Sequence, residues 1–156
     1  MVETAVAVRK ARTDEINAIH GIISSYATEG ILLSRSPAEI VADINNFFVT
    51  EENGAITGVV TFYDYGEHLK EVRSLAVHKS HLRRGIGTAL LRNLIKALAP
   101  RKGHPKIFVL TYAPLFFEKN GFRLIDRNDL PEKIWKDCAD CPNRLNCSET
   151  ALVYTG

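Results

Sequence analysis

The chain has 156 residues, and its 20 lysine and arginine residues against 18 aspartate and glutamate residues leave a formal net charge of +2. Hydrophobic residues make up 46% of the chain and charged residues 24%, as in an average soluble globular protein. This length predicts one domain, spanning residues 1–156, with a core that needs no disulfides. The small net charge argues against a nucleic-acid binder that depends on a basic face. No apolar run approaches the roughly 20 residues of a membrane span, so no membrane partner is expected.

Two features predict the cellular compartment. The N-terminus has no apolar stretch followed by a cleavage site, which is the pattern of a secretory signal. All three cysteines lie between positions 138 and 147, and an odd count without an export signal argues against a disulfide framework. Both observations favour a cytoplasmic protein.

The N-terminal half of the sequence predicts a strand, two helices and a hairpin. Thr4–Lys10 alternates apolar and polar residues, as a half-buried strand does. Thr13 is expected to cap a helix, and its apolar face would be formed by Ile16, Ile19, Ile23 and Tyr26. Ser36-Pro37-Ala38-Glu39 has the order of a capping box and predicts a second helix. The apolar runs between residues 47 and 65 flank Asn53-Gly54, which predicts a tight hairpin.

The C-terminal half alternates strands and helices. Leu69–Val77 predicts a strand, and an amphipathic helix opens at Gly85-Ile86-Gly87 and would end at Pro100 and Gly103. The remaining elements are expected as a strand at Lys106–Thr111, a helical turn at Pro114–Asn120, and strands at Phe122–Ile125 and Thr150–Tyr154. A segment with prolines and cysteines, 129–149, separates the last two strands. The pattern predicts one α/β domain with a mixed sheet.

The segment between the strand at 69–77 and the following helix has the features of an anion site. Helix N-termini present unpaired N–H groups and the positive end of the helix dipole, which suit phosphate. Gly85 and Gly87 let a ligand approach the backbone, and Arg83 and Arg84 add positive charge. The segment is not a P-loop and lacks the third glycine of the dinucleotide fingerprint. The alternative is a tight turn beside a solvated pair of arginines.

Three segments resemble GNAT acetyltransferases: VRSLAVH at 72–78, RRGIGTALL at 83–91 and FFEKNGF at 116–122. The resemblance implies the GNAT fold, an α+β arrangement in which helices flank a mixed, mostly antiparallel sheet of about six to seven strands. It also implies that the sheet splays at an acetyl-CoA site. Leu82 departs from the family pattern, which has glutamine or arginine at that position.

The same resemblance assigns the acetyl-CoA contacts. Backbone groups of Leu75 and Val77 would hold the pantetheine arm. The pyrophosphate would be held by the turn and the helix start, at Arg83, Arg84, Gly85, Ile86, Gly87 and Thr88. Acetyl-CoA is thus the implied cosubstrate.

Two further segments narrow the resemblance. GILLSRS at 30–36 and the tail from Leu130 to Glu149 are similar to N-acetylglutamate synthases, the tail to their short single-domain form. This implies that the enzyme transfers acetyl from acetyl-CoA to the α-amino group of L-glutamate, the first step towards arginine, by direct attack in a ternary complex. Dimers are common among such folds, so a homodimer is one expectation. Two alternatives stay open: a GNAT enzyme for another amine or amino acid, and a non-catalytic acyl-CoA sensor.

Acetyl transfer to an ammonium group needs a base and an acid, since α-amino groups have a reference pKa of about 8. Related synthases carry a glutamate in the strand beside the glycine turn, which makes Glu71 the candidate base; the alternative is an exposed carboxylate at a strand end. Many GNAT enzymes have a tyrosine where this chain has Phe117, which cannot donate a proton. Tyr112 is therefore the candidate acid, and Thr111 or Ser74 acting through water are alternative acids. An equal alternative is that Tyr112 is a packing residue.

A dicarboxylate substrate calls for cationic partners, because guanidinium groups match carboxylates bidentately. Arg35 lies within the resembling segment at 30–36 and is the first candidate, followed by Arg73 and Lys133. The alternative for each is an ordinary surface cation.

Cys138, Cys141 and Cys147 have the close pair of a zinc knuckle, but a structural zinc site needs four ligands. Asp137, Asp140, Glu149 or a histidine would have to complete it. The alternatives are reduced buried thiols, a loop that forms one wall of the substrate site, and a redox pair.

Overall fold

The computed structural model describes residues 6–98, 105–126, 129 and 149–156. Its strands are β1 (Val8–Lys10), β2 (Phe48–Glu52), β3 (Ala55–Asp64), β4 (Leu69–Val77), β5 (Lys106–Thr111), β6 (Phe122–Leu124) and β7 (Thr150–Tyr154). Its α-helices are α1 (Ile16–Ala27), α2 (Pro37–Ala42), α3 (Ile86–Leu98) and α4 (Pro114–Glu118). None of the helices in these described ranges is long and apolar enough to cross a membrane.

The strands form one sheet in the order β1-β2-β3-β4-β5-β7-β6. The pairs β1–β2, β2–β3, β5–β7 and β6–β7 are antiparallel, whereas β4 and β5 are parallel. The mixed, mostly antiparallel sheet flanked by helices is therefore confirmed. The described residues fall into two compact units, the first within Met1–Tyr63 and Val72–Ala99 and the second within Asp64–Glu71 and Pro100–Gly156. Strand β4 contributes residues to both units.

The first unit contains the predicted hairpin and three of the predicted helices, α1, α2 and α3. Asn53 and Gly54 have φ values of 52° and 82°, the left-handed conformation that a two-residue hairpin turn requires. In α2, Ser36 accepts a hydrogen bond from the Glu39 backbone N–H, and the Glu39 carboxylate accepts one from the Ser36 N–H, so the capping box is confirmed. The core of this unit is formed by Ile19, Ile22, Ile23, Ile40, Phe47, Val49, Val59 and Ala76.

The start of α1 differs from the sequence prediction. Thr13 does not cap the helix; Thr13–Glu15 form a 3-10 turn, and α1 begins at Ile16. The Glu15 carboxylate accepts the Arg12 backbone N–H at 2.8 Å, as the N3 glutamate of a capping box accepts the N–H of the N-cap residue. Arg9 donates to both oxygens of Glu15 at 2.9 and 2.6 Å, and Glu15 is only 7% exposed. Strand β1 is also shorter than predicted, since residues 6 and 7 are not extended in the sheet and residues 1–5 lie outside the described residues.

The second unit is built on β5. The first residues of β4, Leu69 to Glu71, pair with β5, and β7 lies on its other side. Leu69, Phe108 and Ala151 are buried together in this unit. The predicted helical turn at 114–120 ends earlier, at Glu118. The predicted helix-ending residues Pro100 and Gly103 lie outside the described residues.

Gly58 determines how closely α3 packs on the sheet. A Cβ atom at this position would lie 2.8 Å from Ile86 Cγ2, Leu90 Cδ1 and Thr50 Oγ1. These atoms belong to buried side chains, so none of them can swing into solvent. The absence of a side chain at Gly58 therefore allows the first turn of α3 to approach β3.

We expect Glu15→Gln to lower the free energy of unfolding by about 1.5–3 kcal/mol at pH 7, because it removes a charge-assisted pair to Arg9. The hydrogen bond from Arg9 holds the pKa of Glu15 below its ordinary value, although burial opposes it. This stabilisation is therefore present above the unfolded pKa of about 4.3 and is lost as the pH falls through the lower folded pKa. Urea unfolding at a series of pH values measures the effect.

The control for this prediction is Asp14→Asn, because Asp14 is 71% exposed and its partner Arg12 is 58% exposed. Exposed ion pairs contribute about 0–1 kcal/mol, so this variant should unfold almost like the parent. Two results would contradict a stabilising Arg9–Glu15 pair. One is an equal loss of unfolding free energy in both variants; the other is a difference in unfolding free energy between Glu15→Gln and the parent that stays constant down to pH 3.

We expect Gly58→Ala to destabilise the chain by about 1–3 kcal/mol, because the added methyl group overpacks the contact with α3. Gly21→Ala is the matched control, since nothing lies within 4 Å of a Cβ at that helical position. There the change should be neutral or stabilising by up to about 1 kcal/mol. Thermal unfolding of both variants tests the prediction, and an unchanged Tm for Gly58→Ala would refute it.

Candidate active site

Strand β4 is bent at Ser74. This residue has φ 53°, a left-handed conformation that is uncommon for any residue except glycine. The ladder between β4 and β5 runs through Leu69, Lys70 and Glu71, three residues before the bend. A left-handed residue turns the backbone out of the regular pleat, so N–H and C=O groups near it change direction. The bend lies immediately before Leu75 and Val77, the residues expected to offer backbone groups to a ligand.

The end of β4 is held by two hydrogen bonds in the first unit. The Tyr26 hydroxyl donates to the Val77 carbonyl at 2.6 Å, and the His78 N–H donates to the Thr57 carbonyl at 2.7 Å. Burial raises the pKa of Tyr26, which keeps its hydroxyl protonated as a donor. A carbonyl oxygen has two lone pairs, so the Val77 carbonyl keeps one acceptor position beyond the Tyr26 bond.

The loop that follows is ordered by its own side chains. His78 Nδ1 lies 3.2 Å from the Ser80 N–H and accepts from it. The Ser80 hydroxyl lies 2.7 Å from Nδ1 of both His78 and His81. A short 3-10 helix at Lys79–His81 results, and it leads into the glycine turn.

The glycine turn presents backbone N–H groups at the start of α3. Arg83 and Gly85 have φ values of 66° and 78°, so the chain turns sharply before the helix. The Ala89 N–H donates to the Gly85 carbonyl as the first α-helical bond, and the amides of Ile86, Gly87 and Thr88 come before it. Such amides have no partner within their own helix. Arg83 and Arg84 are exposed at this end. The arrangement is suited to an anion.

Glu52 connects the glycine turn to the β2–β3 hairpin. Its Oε2 lies 3.3 Å from Arg84 Nη1 and 3.3 Å from His81 Nε2. Arg84 is 55% exposed and Glu52 47% exposed, so water screens this pair and it contributes little. Arg84 can therefore exchange Glu52 for a phosphate at small cost.

Neighbouring residues cover most of the Arg35 side chain. Its side chain is 11% exposed and Nη2 donates to Asp43 at 2.7 Å. The guanidinium carbon lies 5.5 Å from the centre of the Phe47 ring. Arg35 Nε is buried and has no hydrogen-bond partner among the described residues. A buried donor without a partner costs about 1–3 kcal/mol, and an anion would satisfy it.

Arg73, the second candidate for substrate binding, has its guanidinium carbon 4.4 Å from the centre of the Tyr63 ring. It is half-buried on β4, one residue before the bend. This cation–π contact holds the Arg73 side chain against β3.

Glu71 is buried within β4 and is not an exposed carboxylate at a strand end. Its side chain is 6% exposed, and it stands opposite Phe108 of β5. The Tyr65 hydroxyl donates to Glu71 Oε1 at 3.2 Å. Glu71 is thus a buried carboxylate in contact with a phenol, and its role as the base stays a prediction.

The candidate acids lie at the end of β5. Tyr112 is 41% exposed and follows the last residue of the strand. The Thr111 hydroxyl accepts the Ala113 N–H at 2.9 Å, and its own hydrogen remains available for donation. Phe117 is buried with Phe122 in the second unit, at a ring-centre distance of 5.3 Å.

Several predicted site residues lie outside the described residues. These are Lys133, Cys138, Cys141 and Cys147. Among the residues that are described, no three histidine, cysteine, aspartate or glutamate side chains are grouped so as to hold a metal ion.

The sequence did not reveal three contacts: Tyr65 on Glu71, Asp43 on Arg35 and Tyr26 on the end of β4. Tyr65 could have been found from hairpin spacing, because it precedes Glu71 across the turn at Gly66. The pairing of Arg35 with Asp43 and of Tyr26 with Val77 joins residues that are separated by whole elements, and no local pattern predicts it.

Comparisons with known proteins agree with this geometry. A family model described as an acetyltransferase (GNAT) domain matches residues 43–124, which include Glu71, the glycine turn and Tyr112. An uncharacterized N-acetyltransferase of Chlorobaculum tepidum is 39% identical over 148 residues, 95% of each chain. An amino-acid acetyltransferase of Vibrio vulnificus is 32% identical over 84% of this chain, which spans only 30% of that protein.

One solved structure has a similar fold. The N-acetylglutamate synthase from Neisseria gonorrhoeae, in complex with coenzyme A and N-acetyl-glutamate, superposes with a TM-score of 0.84 at 25% identity. The match covers 98% of this chain and 35% of that chain. Sequence, sheet order and the glycine turn agree: the chain belongs to the GNAT family of acetyltransferases.

Proposed function

We propose that this protein transfers the acetyl group of acetyl-CoA to the α-amino group of L-glutamate, the first step towards arginine. The observation that carries the choice of substrate is Arg35, a buried guanidinium whose Nε has no partner among the described residues. The relatives named amino-acid acetyltransferase and the synthase solved with N-acetyl-glutamate support the same choice.

Acetyl-CoA fits the glycine turn. Its pyrophosphate would accept hydrogen bonds from the amides of Ile86, Gly87 and Thr88, and Arg83 and Arg84 would supply countercharge. The pantetheine arm would lie along β4 at Leu75 and Val77, after the bend at Ser74. Coenzyme A in the Neisseria synthase structure supports this ligand.

In the proposed reaction Glu71 removes a proton from the α-ammonium group, directly or through water. The amine nitrogen then attacks the thioester carbonyl carbon, so that a C–N bond forms and the C–S bond breaks. Backbone N–H groups of β4 would stabilise the oxyanion of the tetrahedral intermediate. The coenzyme A thiolate takes a proton from an acid, for which Tyr112 and Thr111 are the candidates, and the nitrogen gives up its second proton as the amide forms, directly or through water, to restore that acid. Arg35 and Arg73 would bind the carboxylates of the substrate.

The direct test is an assay of acetyl-CoA against a panel of amino acids and amines, with the mass of each product measured. The proposal expects acetylated glutamate as the preferred product. Preferred acetylation of an amine without a carboxylate would replace glutamate as the substrate. Release of no free coenzyme A with any acceptor would instead favour an acyl-CoA sensor.

We expect Glu71→Gln to lower kcat by about 100-fold or more at neutral pH, because general base catalysis contributes about 10²–10⁴ in rate. The affinity for acetyl-CoA should stay the same, since the amide keeps the size of the side chain and retains one oxygen that can accept from Tyr65. Steady-state kinetics and isothermal titration calorimetry measure the two effects.

The control for Glu71→Gln is Glu67→Gln, an exposed carboxylate in the turn before β4. It should leave kcat unchanged. If Glu71→Gln is as active as the parent at neutral pH, the base is another group.

We expect Arg35→Lys to raise the KM for glutamate by about 10- to 100-fold with a smaller change in kcat. The lysine keeps the charge but loses the forked donors, and a hydrogen bond to a charged group contributes about 1.5–3 kcal/mol. The KM for acetyl-CoA should not change. Arg92→Lys, an exposed position on α3, is the matched control. An unchanged KM for glutamate in Arg35→Lys would remove Arg35 from the substrate site.

A further inference from the structure

The connection between β3 and β4 holds Tyr65 in one position. The Tyr65 N–H donates to the Leu69 carbonyl at 3.0 Å, which closes the turn. Within the turn, Asp64 Oδ1 accepts the Gly66 N–H at 2.8 Å and the Lys70 ammonium at 2.5 Å. The Lys70 bond lowers the pKa of Asp64, so this carboxylate stays charged over the working pH range. These bonds hold the backbone on both sides of Tyr65 independently of the contacts that its own side chain makes.

The side chain of Tyr65 is fixed by its ring and by its hydroxyl. The ring lies 6.0 Å from the ring of Phe108, at an interplanar angle of 35°. The hydroxyl donates to Glu71 Oε1 at 3.2 Å. Glu71 and Phe108 stand opposite each other on β4 and β5, so Tyr65 covers both. Tyr65 is thus held by its backbone N–H, its ring and its hydroxyl group.

Because Glu71 is buried, the hydrogen bond from the Tyr65 hydroxyl affects whether the Glu71 carboxyl group is ionised. The carboxylate is 6% exposed and lies beside the cluster of Leu69, Phe108 and Ala151. Burial favours the neutral form of a carboxyl group, whereas a hydrogen bond donated to the carboxylate favours the charged form. The other ionisable side chains of this part of the hairpin are Tyr63, Asp64, Glu67, His68, Lys70 and Arg73, of which Asp64 and Lys70 pair with each other.

We propose that Tyr65 is a positioning residue for Glu71: its hydroxyl orients the carboxylate and keeps it ionised, ready to accept the proton of the substrate ammonium group. The inference rests on the proposed function, in which Glu71 is the base. It adds a residue that contacts neither acetyl-CoA nor glutamate in the proposed reaction and acts only through Glu71.

The test uses Tyr65→Phe, which removes the hydroxyl and retains the ring that packs on Phe108. The acidic limb of the profile of kcat/KM against pH should move up by about one pH unit, since Glu71 becomes harder to ionise. Activity should therefore fall about tenfold on the acidic limb and approach that of the parent on the plateau. A merely structural role would lower activity equally at every pH. Tyr154→Phe, another ring in the second unit, is the matched control and should leave the profile unchanged.

A second measurement separates this inference from the proposed function. In protein labelled with ¹³C at the glutamate side-chain carboxyl, NMR titration gives the pKa of Glu71 without any substrate. We expect it to rise in Tyr65→Phe. No rise would overturn the inference and leave the role of Glu71 to be decided by Glu71→Gln. A rise with an unchanged pH profile of activity would instead show that Glu71 is not the base, which overturns the catalytic part of both proposals.

Discussion

Strand β4 pairs regularly with β5 up to Glu71 and leaves the regular conformation at Ser74, just before the residues expected to offer backbone groups to a ligand. A left-handed residue that is not glycine costs about 1–3 kcal/mol, so the surrounding structure has to hold it in place. Hydrogen bonds from Tyr26 to the Val77 carbonyl and from the His78 N–H to the Thr57 carbonyl hold the end of the strand. The bend is thus supported by α1 and β3, outside the strand itself.

The anion site depends on a second packing constraint. The amides at the start of α3 point where they do because α3 lies close to β3, and that distance is possible only because Gly58 has no side chain. The net charge of +2 follows from 20 basic against 18 acidic residues, so any attraction for an anion has to come from a local feature such as this helix end with Arg83 and Arg84. A focused field of this kind needs no basic surface, which agrees with the composition.

Local chemistry in the sequence predicted the parts of the fold that depend on neighbouring residues. The Asn53-Gly54 hairpin, the capping box at Ser36 and the start of α3 follow from two to four adjacent residues, and the structure confirms all three. Thr13 is not the cap, because the 3-10 turn begins at Thr13 itself and its N-cap is Arg12, whose N–H the Glu15 carboxylate accepts. Contacts between residues far apart in the sequence, such as the hydrogen bond from Tyr26 to Val77, leave no periodic signal in the sequence.

Candidate site residues were harder to judge, because their chemistry depends on burial. Glu71 and Arg35 could each have been a solvated surface charge, and only the fold places them in the interior. Once buried, the two groups differ in what they need. Glu71 needs donors that keep it ionised, and one of them is a phenol that the turn before β4 fixes in place.

Arg35 poses the opposite problem, because its charge is already balanced by Asp43. A substrate carboxylate would therefore gain less binding free energy from the charge of Arg35 than from a hydrogen bond to its Nε, the buried donor that has no partner among the described residues. A donor of this kind favours a ligand with a correctly placed acceptor over one without it, since the donor gains a partner in the first complex and stays unsatisfied in the second. In the proposed reaction, selection of glutamate would thus rest on the direction of one N–H group, with Phe47 and Asp43 holding the guanidinium plane that sets that direction.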